Sequence, residues 1–325
     1  MIRAYRCDGT VDVILPSDAP TRLADDILWV DLLNPDKTEE RLAETLLAMP
    51  LPTRDDLKDI EPSSRLYTDD HGVYMTASLI CKAESNVPEL ADVAFILGGN
   101  RIVTVRYAEP KSFGLFAAAL ARNQVNCSKG SVLLMRLLET VVDRTAEVLE
   151  IAGARLDALS SDVFIERKLH KSRPPHFLED KLVDIASYHR LVSKTRDSLV
   201  SLSRLVSFLA SADPVKASED AKELCMVVAH DVHSLSEHAG FISSNISFML
   251  DASLGLINVE QNAIIKIFSI ASVVFLPPTL VASIYGMNFH VMPELNWHFG
   301  YPVALFFMVV SAVVPFLFFR WKGWL

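Results

Sequence analysis

Residues 267–284 and 302–319 carry no charged side chain, and hydrophobic residues dominate both stretches. Each holds about 18 residues, near the shortest helix that spans a hydrocarbon core at ~1.5 Å per residue. Between them lies a short polar connection. The pattern predicts a helical membrane hairpin, with 286–300 as its exposed loop. Upstream the pattern changes. Residues 11–15, 27–33, 73–81, 93–97 and 101–107 read as strands. Gly98-Gly99-Asn100 turns the last two into a hairpin. Asn34, then Pro35 at the first helical position and acids in the first turn, open a helix. From about residue 112 the period becomes helical. Residues 132–162 and 178–209 form an antiparallel helix pair with a basic tip at 168–176. A further helical pattern runs from about residue 216 into the first apolar stretch. Unbroken to Tyr285, it holds about 70 residues and reaches ~105 Å.

The fold class expected is therefore an α+β cytosolic domain, followed by a long stalk helix and a two-helix transmembrane hairpin. The divisions fall at 1–128 for the α/β domain, 129–209 for the helix pair and 216–285 for the stalk. The first span occupies about 265–285, the loop 286–300, the second span 301–320 and a basic tail 321–325.

The formal net charge of −9 belongs mainly to residues before 260. It argues against nucleic acid as a partner and suits cation handling. The first six residues contain no apolar signal region. Cys7, Cys81, Cys127 and Cys225 are widely spaced and read as reduced structural thiols. Lys266 precedes the first apolar stretch, and Arg320 and Lys322 follow the second. The loop between has no Lys or Arg and carries Glu294. The positive-inside rule places both ends in the cytoplasm and the loop outside.

Ser269, Ser272, Thr279 and Ser283 fall within roughly 80° on one helical face, with Asn262 at its edge and Leu276 on it. Such a stripe is either packing glue between helices or the wall of a water-lined pore made by several copies. Neither span contains Asp, Glu, Lys or Arg, which suits passive entry of a cation better than proton coupling. Gly286-Met287-Asn288 ends the helix, glycine permitting the turn and Asn288 offering a neutral carbonyl oxygen. A ring of such oxygens can bind the water shell of a hydrated divalent ion. No Gly-x-Ser-x-Gly, phosphate loop, His-Glu-x-x-His or Cys/His nucleophile signature occurs in 1–260. An anchored enzyme is thereby disfavoured. His230 and His233 have metal-ligand spacing on a helix but read first as a solvated face.

Tyr285-Gly286-Met287-Asn288-Phe289, then Met292-Pro293-Glu294-Leu295, Trp297 and Gly300-Tyr301-Pro302, closely resemble the CorA family of magnesium transporters. So do the residues from Asn258 to Asn262 and from Phe275 to Ala282. The resemblance is close over about 257–325 and looser before it. It implies a homopentameric funnel in the bacterial inner membrane, with the first span lining the pore. Mg²⁺ would be both cargo and regulator, with Co²⁺ and Ni²⁺ also carried, and entry would be driven by the membrane potential. Carried onto this chain, Gly286, Met287 and Asn288 are the selectivity filter. Asn262, Ile265, Phe268, Leu276, Thr279 and Ser283 face the pore, and the apolar ones form a dewetting constriction. Glu294 adds negative potential at the mouth, and Arg320 and Lys322 form an inner basic ring. Regulatory Mg²⁺ would sit between neighbouring cytosolic domains. One stalk position that is acidic in some members is Val227 here, so the candidate ligands are Glu223 and Asp231 facing Glu84, Glu89 or Asp92. The zinc-transporting branch is the alternative. It varies the residue at Met287 and the Met292-Pro293-Glu294-Leu295 loop, both intact here.

Overall fold

The computed structural model describes residues 1–58, 61, 65–85, 87–125, 129–164, 176–288, 290, 292–293 and 297–324, the side chain of Asp18 aside. The chain divides into two compact units, Met1–Leu250 and Asp251–Leu325.

The first unit is built on a seven-stranded mixed sheet. Its strands are β1 (Ile2–Arg6), β2 (Val11–Ile14), β3 (Ile27–Leu33), β4 (Leu66–Thr68), β5 (Val73–Cys81), β6 (Glu89–Gly98) and β7 (Arg101–Arg106). They lie in the order β2-β1-β3-β7-β6-β5-β4. Only the β3–β7 pair is parallel; the rest are antiparallel. β6 and β7 turn over Gly99-Asn100, Gly98 pairing Arg101. Gly99 takes φ +57°, open to glycine at no steric cost.

Successive residues of a strand point to opposite faces, and this sheet buries both. One face packs Ile2, Val30, Leu32, Ile96 and Val103 against α1 (Lys37–Leu47). The other packs Trp29, Phe95 and Ile102 against α2 (Lys111–Ala121), α3 (Gly130–Phe164) and α4 (Phe177–Leu209). The first part of the long helix adds Cys225, Val228 and Val232 to the same core. Asp31, Thr104 and Arg106 share this second face at 0–3% exposure. Arg106 donates from Nε and Nη2 to the two Asp31 oxygens at 2.9 and 2.8 Å. Thr104 donates to Asp31 at 2.7 Å, and Trp29 Nε1 donates to Thr104 at 2.9 Å. The buried charges are thus paired and hydrogen-bonded, as burial requires.

The structure moves the start of α1. Its N-cap is Asp36, not Asn34. Asp36 accepts from the backbone of Thr38 and Glu39, and Glu39 reaches back to the Asp36 N–H at 3.1 Å. This reciprocal capping box satisfies more backbone donors than a cap two residues earlier. Asn34 sits at φ 45° outside the helix. β1 and β4 were not among the expected strands. The basic tip lies outside the described residues except for His176, which takes φ 66° just before α4. After a short α5 (Asp213–Lys216), one helix, α6, runs Glu219–Tyr285, and α7 runs Gly300–Trp321.

Candidate ion pathway

Both α6 and α7 contain stretches long and apolar enough to cross a membrane. Almost none of either stretch is buried within the chain, so neither is the core helix of a soluble domain. Pro277 and Pro278 lie inside α6. They supply no N–H, so the carbonyls of Val273 and Val274 lose their usual donors. The helix continues through them.

Within 251–285, α6 has two unlike sides. Lys266, Ile270, Val274, Pro277, Val281 and Tyr285 have reduced exposure, with Ile270 buried at 6%. At 100° per residue they share one side. This side meets α7. Tyr285 and Ala282 border a cavity of about 420 Å³ with Tyr301, Ala304, Leu305 and Met308, and Lys266 Nζ lies 5.7 Å from the Trp324 ring centre. The matching line on α7 is Ala304, Met308, Ser311, Ala312, Pro315 and Phe319. Its small residues allow close helix approach.

The sequence-predicted stripe is on the other side. Asn262, Ile265, Phe268, Ser269, Ser272, Leu276, Thr279 and Ser283 are all exposed. Ile265, Phe268 and Leu276 reach 60–71% exposure. The Ser272 hydroxyl donates to the Phe268 carbonyl at 2.9 Å and Thr279 to that of Leu276 at 2.8 Å. Their donors are therefore spent on their own helix, and each presents oxygen lone pairs outward. The line steps by sevens through Gly255, Asn262, Ser269, Leu276 and Ser283, and through Asp251, Asn258, Ile265, Ser272, Thr279 and Gly286. All are exposed. Asp251 is a residue that inspection of the apolar stretch missed. Extending the seven-residue spacing upstream would have found it.

At the far end Gly286 donates its N–H to Ala282 O at 2.9 Å, and Met287 to Ile284 O at 3.3 Å. Gly286 lies in the turn that ends the helix and is not among the positive-φ glycines. A Cβ at this position would stand 3.2 Å from Ala282 O, a tight contact with its own helix. Met287 and Asn288 follow it, both exposed. Phe289, Glu294 and Leu295 lie outside the described residues. At the opposite end Arg320 and Lys322 are exposed, Lys322 5.7 Å from the Trp321 ring centre.

The carboxylates expected to bind regulatory metal are not brought together within one chain. Lys111 donates to Glu84 at 2.8 Å and Arg144 also engages it. The Lys111 hydrogen bond holds the Glu84 carboxyl below the usual range. Glu89 pairs Lys82 at 2.9 Å. Asp92 takes Arg65 and the Ser78 hydroxyl. Glu223 is exposed, as are Val227, His230 and His233, and His233 faces Glu237 at 3.7 Å. Asp231 lies close enough to Asp143 of α3 for their charges to interact. Burial, Glu139 and Asp231 together push the Asp143 carboxyl above its ordinary range. Among the described residues no three His, Cys, Asp or Glu side chains gather as one metal site.

A mixed-sheet domain, one long helix and a terminal pair of apolar helices define a two-span membrane protein whose first span ends in Gly-Met-Asn. Comparison with known proteins agrees. The family model of the CorA-like Mg²⁺ transporter protein matches residues 24–321. The magnesium transport protein CorA of Haemophilus ducreyi is 34% identical over 327 residues, 100% of each chain. The complete CorA magnesium transporter from Methanocaldococcus jannaschii has a TM-score of 0.77 at 18% identity, covering 100% of this chain and 99% of that one. The cytoplasmic domain of ZntB from Vibrio parahaemolyticus has a TM-score of 0.56 at 12% identity, over 74% of this chain and 91% of that one. Those two likenesses concern fold alone. The chain belongs to the CorA-like Mg²⁺ transporter family.

Proposed function

We propose that the chain carries Mg²⁺ across a bacterial inner membrane, as a homopentamer in which the exposed line of α6 surrounds the ion path. The opposition of the two sides of α6 carries this reading. The side that α7 covers is apolar from Ile270 to Val281. One line of the uncovered surface alternates hydroxyls and amides with single apolar residues and runs out at Asn288, flanked by exposed Ile264, Ile267, Phe275 and Leu280. Oxygen lone pairs along such a wall suit a hydrated divalent ion, which loses its waters reluctantly. Ile265 and Leu276 interrupt the wet line and form its dry points. Asp251 and Glu294 attract cations at the two ends, and the basic Arg320 and Lys322 stand at the cytoplasmic side. Co²⁺ and Ni²⁺, with the same charge and octahedral hydration, enter by the same filter. The membrane potential drives them inward, at ~2.3 kcal/mol per charge per 100 mV. With both ends cytoplasmic, the uncharged spans need no proton site.

Cytosolic Mg²⁺ closes the path by binding acids between neighbouring subunits. Among the candidates, Asp231 is better suited than Glu84, Glu89 or Asp92, whose negative charge is already met by Lys or Arg. The deciding experiment is ion uptake by the full protein in liposomes. Mg²⁺ influx should be abolished by Asn288→Ala while the folded oligomer persists. Uptake that survives the substitution refutes the filter. Zn²⁺ flux without Mg²⁺ flux would replace the cargo with zinc.

A further inference from the structure

The part of α6 inside Met1–Leu250 buries Cys225, Val228 and Val232 and turns its other side outward. His230, His233 and Glu237 stand on that outward side, all exposed. At 100° per residue the three fall within about 60° of one another, over two turns of helix. His233 Nε2 lies 3.7 Å from a Glu237 oxygen. That is too long for a hydrogen bond, so neither atom is spent on the other. It is instead close to the separation of two ligands on one metal ion. With bonds of ~2.1 Å to nitrogen and oxygen, a tetrahedral ion sets its ligands ~3.4 Å apart. His230 lies one turn before His233, at the i, i+3 spacing where two side chains of a helix can meet. No Lys or Arg occurs between 223 and 265, so this stretch of helix offers Glu237 no competing cation.

We propose that His230, His233 and Glu237 hold one transition-metal ion of the Zn²⁺, Co²⁺ and Ni²⁺ class, with water completing its coordination. The donor set decides the class. Two imidazoles and a carboxylate suit these borderline ions, whereas Mg²⁺ prefers oxygen alone. Two of the three ligands already stand as a pair. His230 joins them by turning an exposed side chain, a motion of picoseconds to nanoseconds. The site is complete in one chain, so it does not rest on the oligomeric reading. It is also separate from the acids proposed for Mg²⁺. Asp231 points ~100° away from His230 around the helix, and it is half-buried rather than exposed.

The test is a Co²⁺ titration of the full chain in detergent at saturating Mg²⁺, read by visible absorption and by calorimetry. Mg²⁺ fills the all-oxygen sites, and Co²⁺ held by imidazole absorbs differently from the hydrated ion. His230→Ala, His233→Ala and His238→Ala are compared with the unsubstituted protein. His238 is exposed but lies ~80° from His230 around the helix, so it serves as the control. Co²⁺ affinity should fall at least ~10-fold in His230→Ala and in His233→Ala, because loss of even an outer-shell partner of a metal ligand costs that much. His238→Ala should titrate like the unsubstituted protein. The substituted side chains are all exposed, so melting temperatures without Co²⁺ should agree among the four proteins. Equal titrations in all four overturn the site. A loss in His233→Ala with none in His230→Ala overturns the three-ligand set. An equal loss in His238→Ala overturns the assignment to this side of the helix. Co²⁺ binding that Mg²⁺ abolishes overturns the class of ion.

Discussion

The ammonium of Lys266, at the start of the first apolar stretch, lies 5.7 Å from the centre of the Trp324 ring, just past the second. The contact closes the hairpin at the end opposite Asn288. A cation over an aromatic face contributes about 0.5–1 kcal/mol at an exposed site. Trp324→Ala and Lys266→Met should therefore each lower the melting temperature of the detergent-solubilised protein. The double variant should lose less than the sum, by roughly the same energy. Strict additivity would show that the two groups do not interact.

Arg106 and Asp31 make the corresponding statement for the first unit, Met1–Leu250. Their bidentate pair is buried at the helix-covered face of the sheet, and the Arg106 guanidinium lies 4.6 Å from the Phe113 ring centre. Arg106→Met strands a buried carboxylate and should cost ~3–5 kcal/mol. Replacing both charges, as Asp31→Val with Arg106→Met, should restore most of that loss. Thermal unfolding of the two variants checks this. A double variant as unstable as the single one would show that Thr104 and Trp29 depend on the charge itself.

The hairpin was legible because charge-free stretches of that length have few other uses, and the strands at 27–33 and 73–81 because β-rich runs end at clear breaks. β1 was hidden by Arg3 and Arg6, whose stems share a strand with buried Ile2 and Ala4. The polar stripe could be read from spacing, but which side α7 covers could not. That depends on contacts such as Tyr285 with the cavity lined by Tyr301 and Ala304. Glu84 and Asp92 looked available in sequence because Arg144, Lys111 and Arg65 reach them only through the fold.

Hydroxyls on the two sides of the hairpin should respond differently to removal. Ser272, Thr279 and Ser311 all donate to their own helices. Ser311 lies on the α7 side of reduced exposure, whereas Ser272 and Thr279 are exposed. Ser272→Ala with Thr279→Val removes two outward acceptors from the proposed wall. A barrier raised by ~1 kcal/mol would slow Mg²⁺ uptake roughly fivefold. Ser311→Ala should leave uptake unchanged. Equal losses in both variants would mean that these hydroxyls matter for packing and not for the ion.

Asp143 gives a pH-dependent prediction with a definite sign. Its carboxyl is pushed up in the folded protein by burial, then by Glu139 and Asp231. A raised acid favours the protonated form, so its contribution to stability is complete below the ordinary Asp range and lost as pH rises through the raised value. At neutral pH the ionised Asp143 therefore opposes folding. Asp143→Asn should raise the melting temperature at pH 7. Because the side chain still reaches water, the gain is held to about 0.5 kcal/mol by solvent screening. It should vanish in acid, where wild-type Asp143 is neutral in both states. If Asp143 joins Asp231 in holding Mg²⁺ between neighbouring subunits, saturating Mg²⁺ should raise the wild-type melting temperature more than that of Asp143→Asn, reversing the order of the two proteins. A variant stabilised equally at both pH values would sink the electrostatic account. A Mg²⁺ response unchanged by the substitution would remove Asp143 from the sensor.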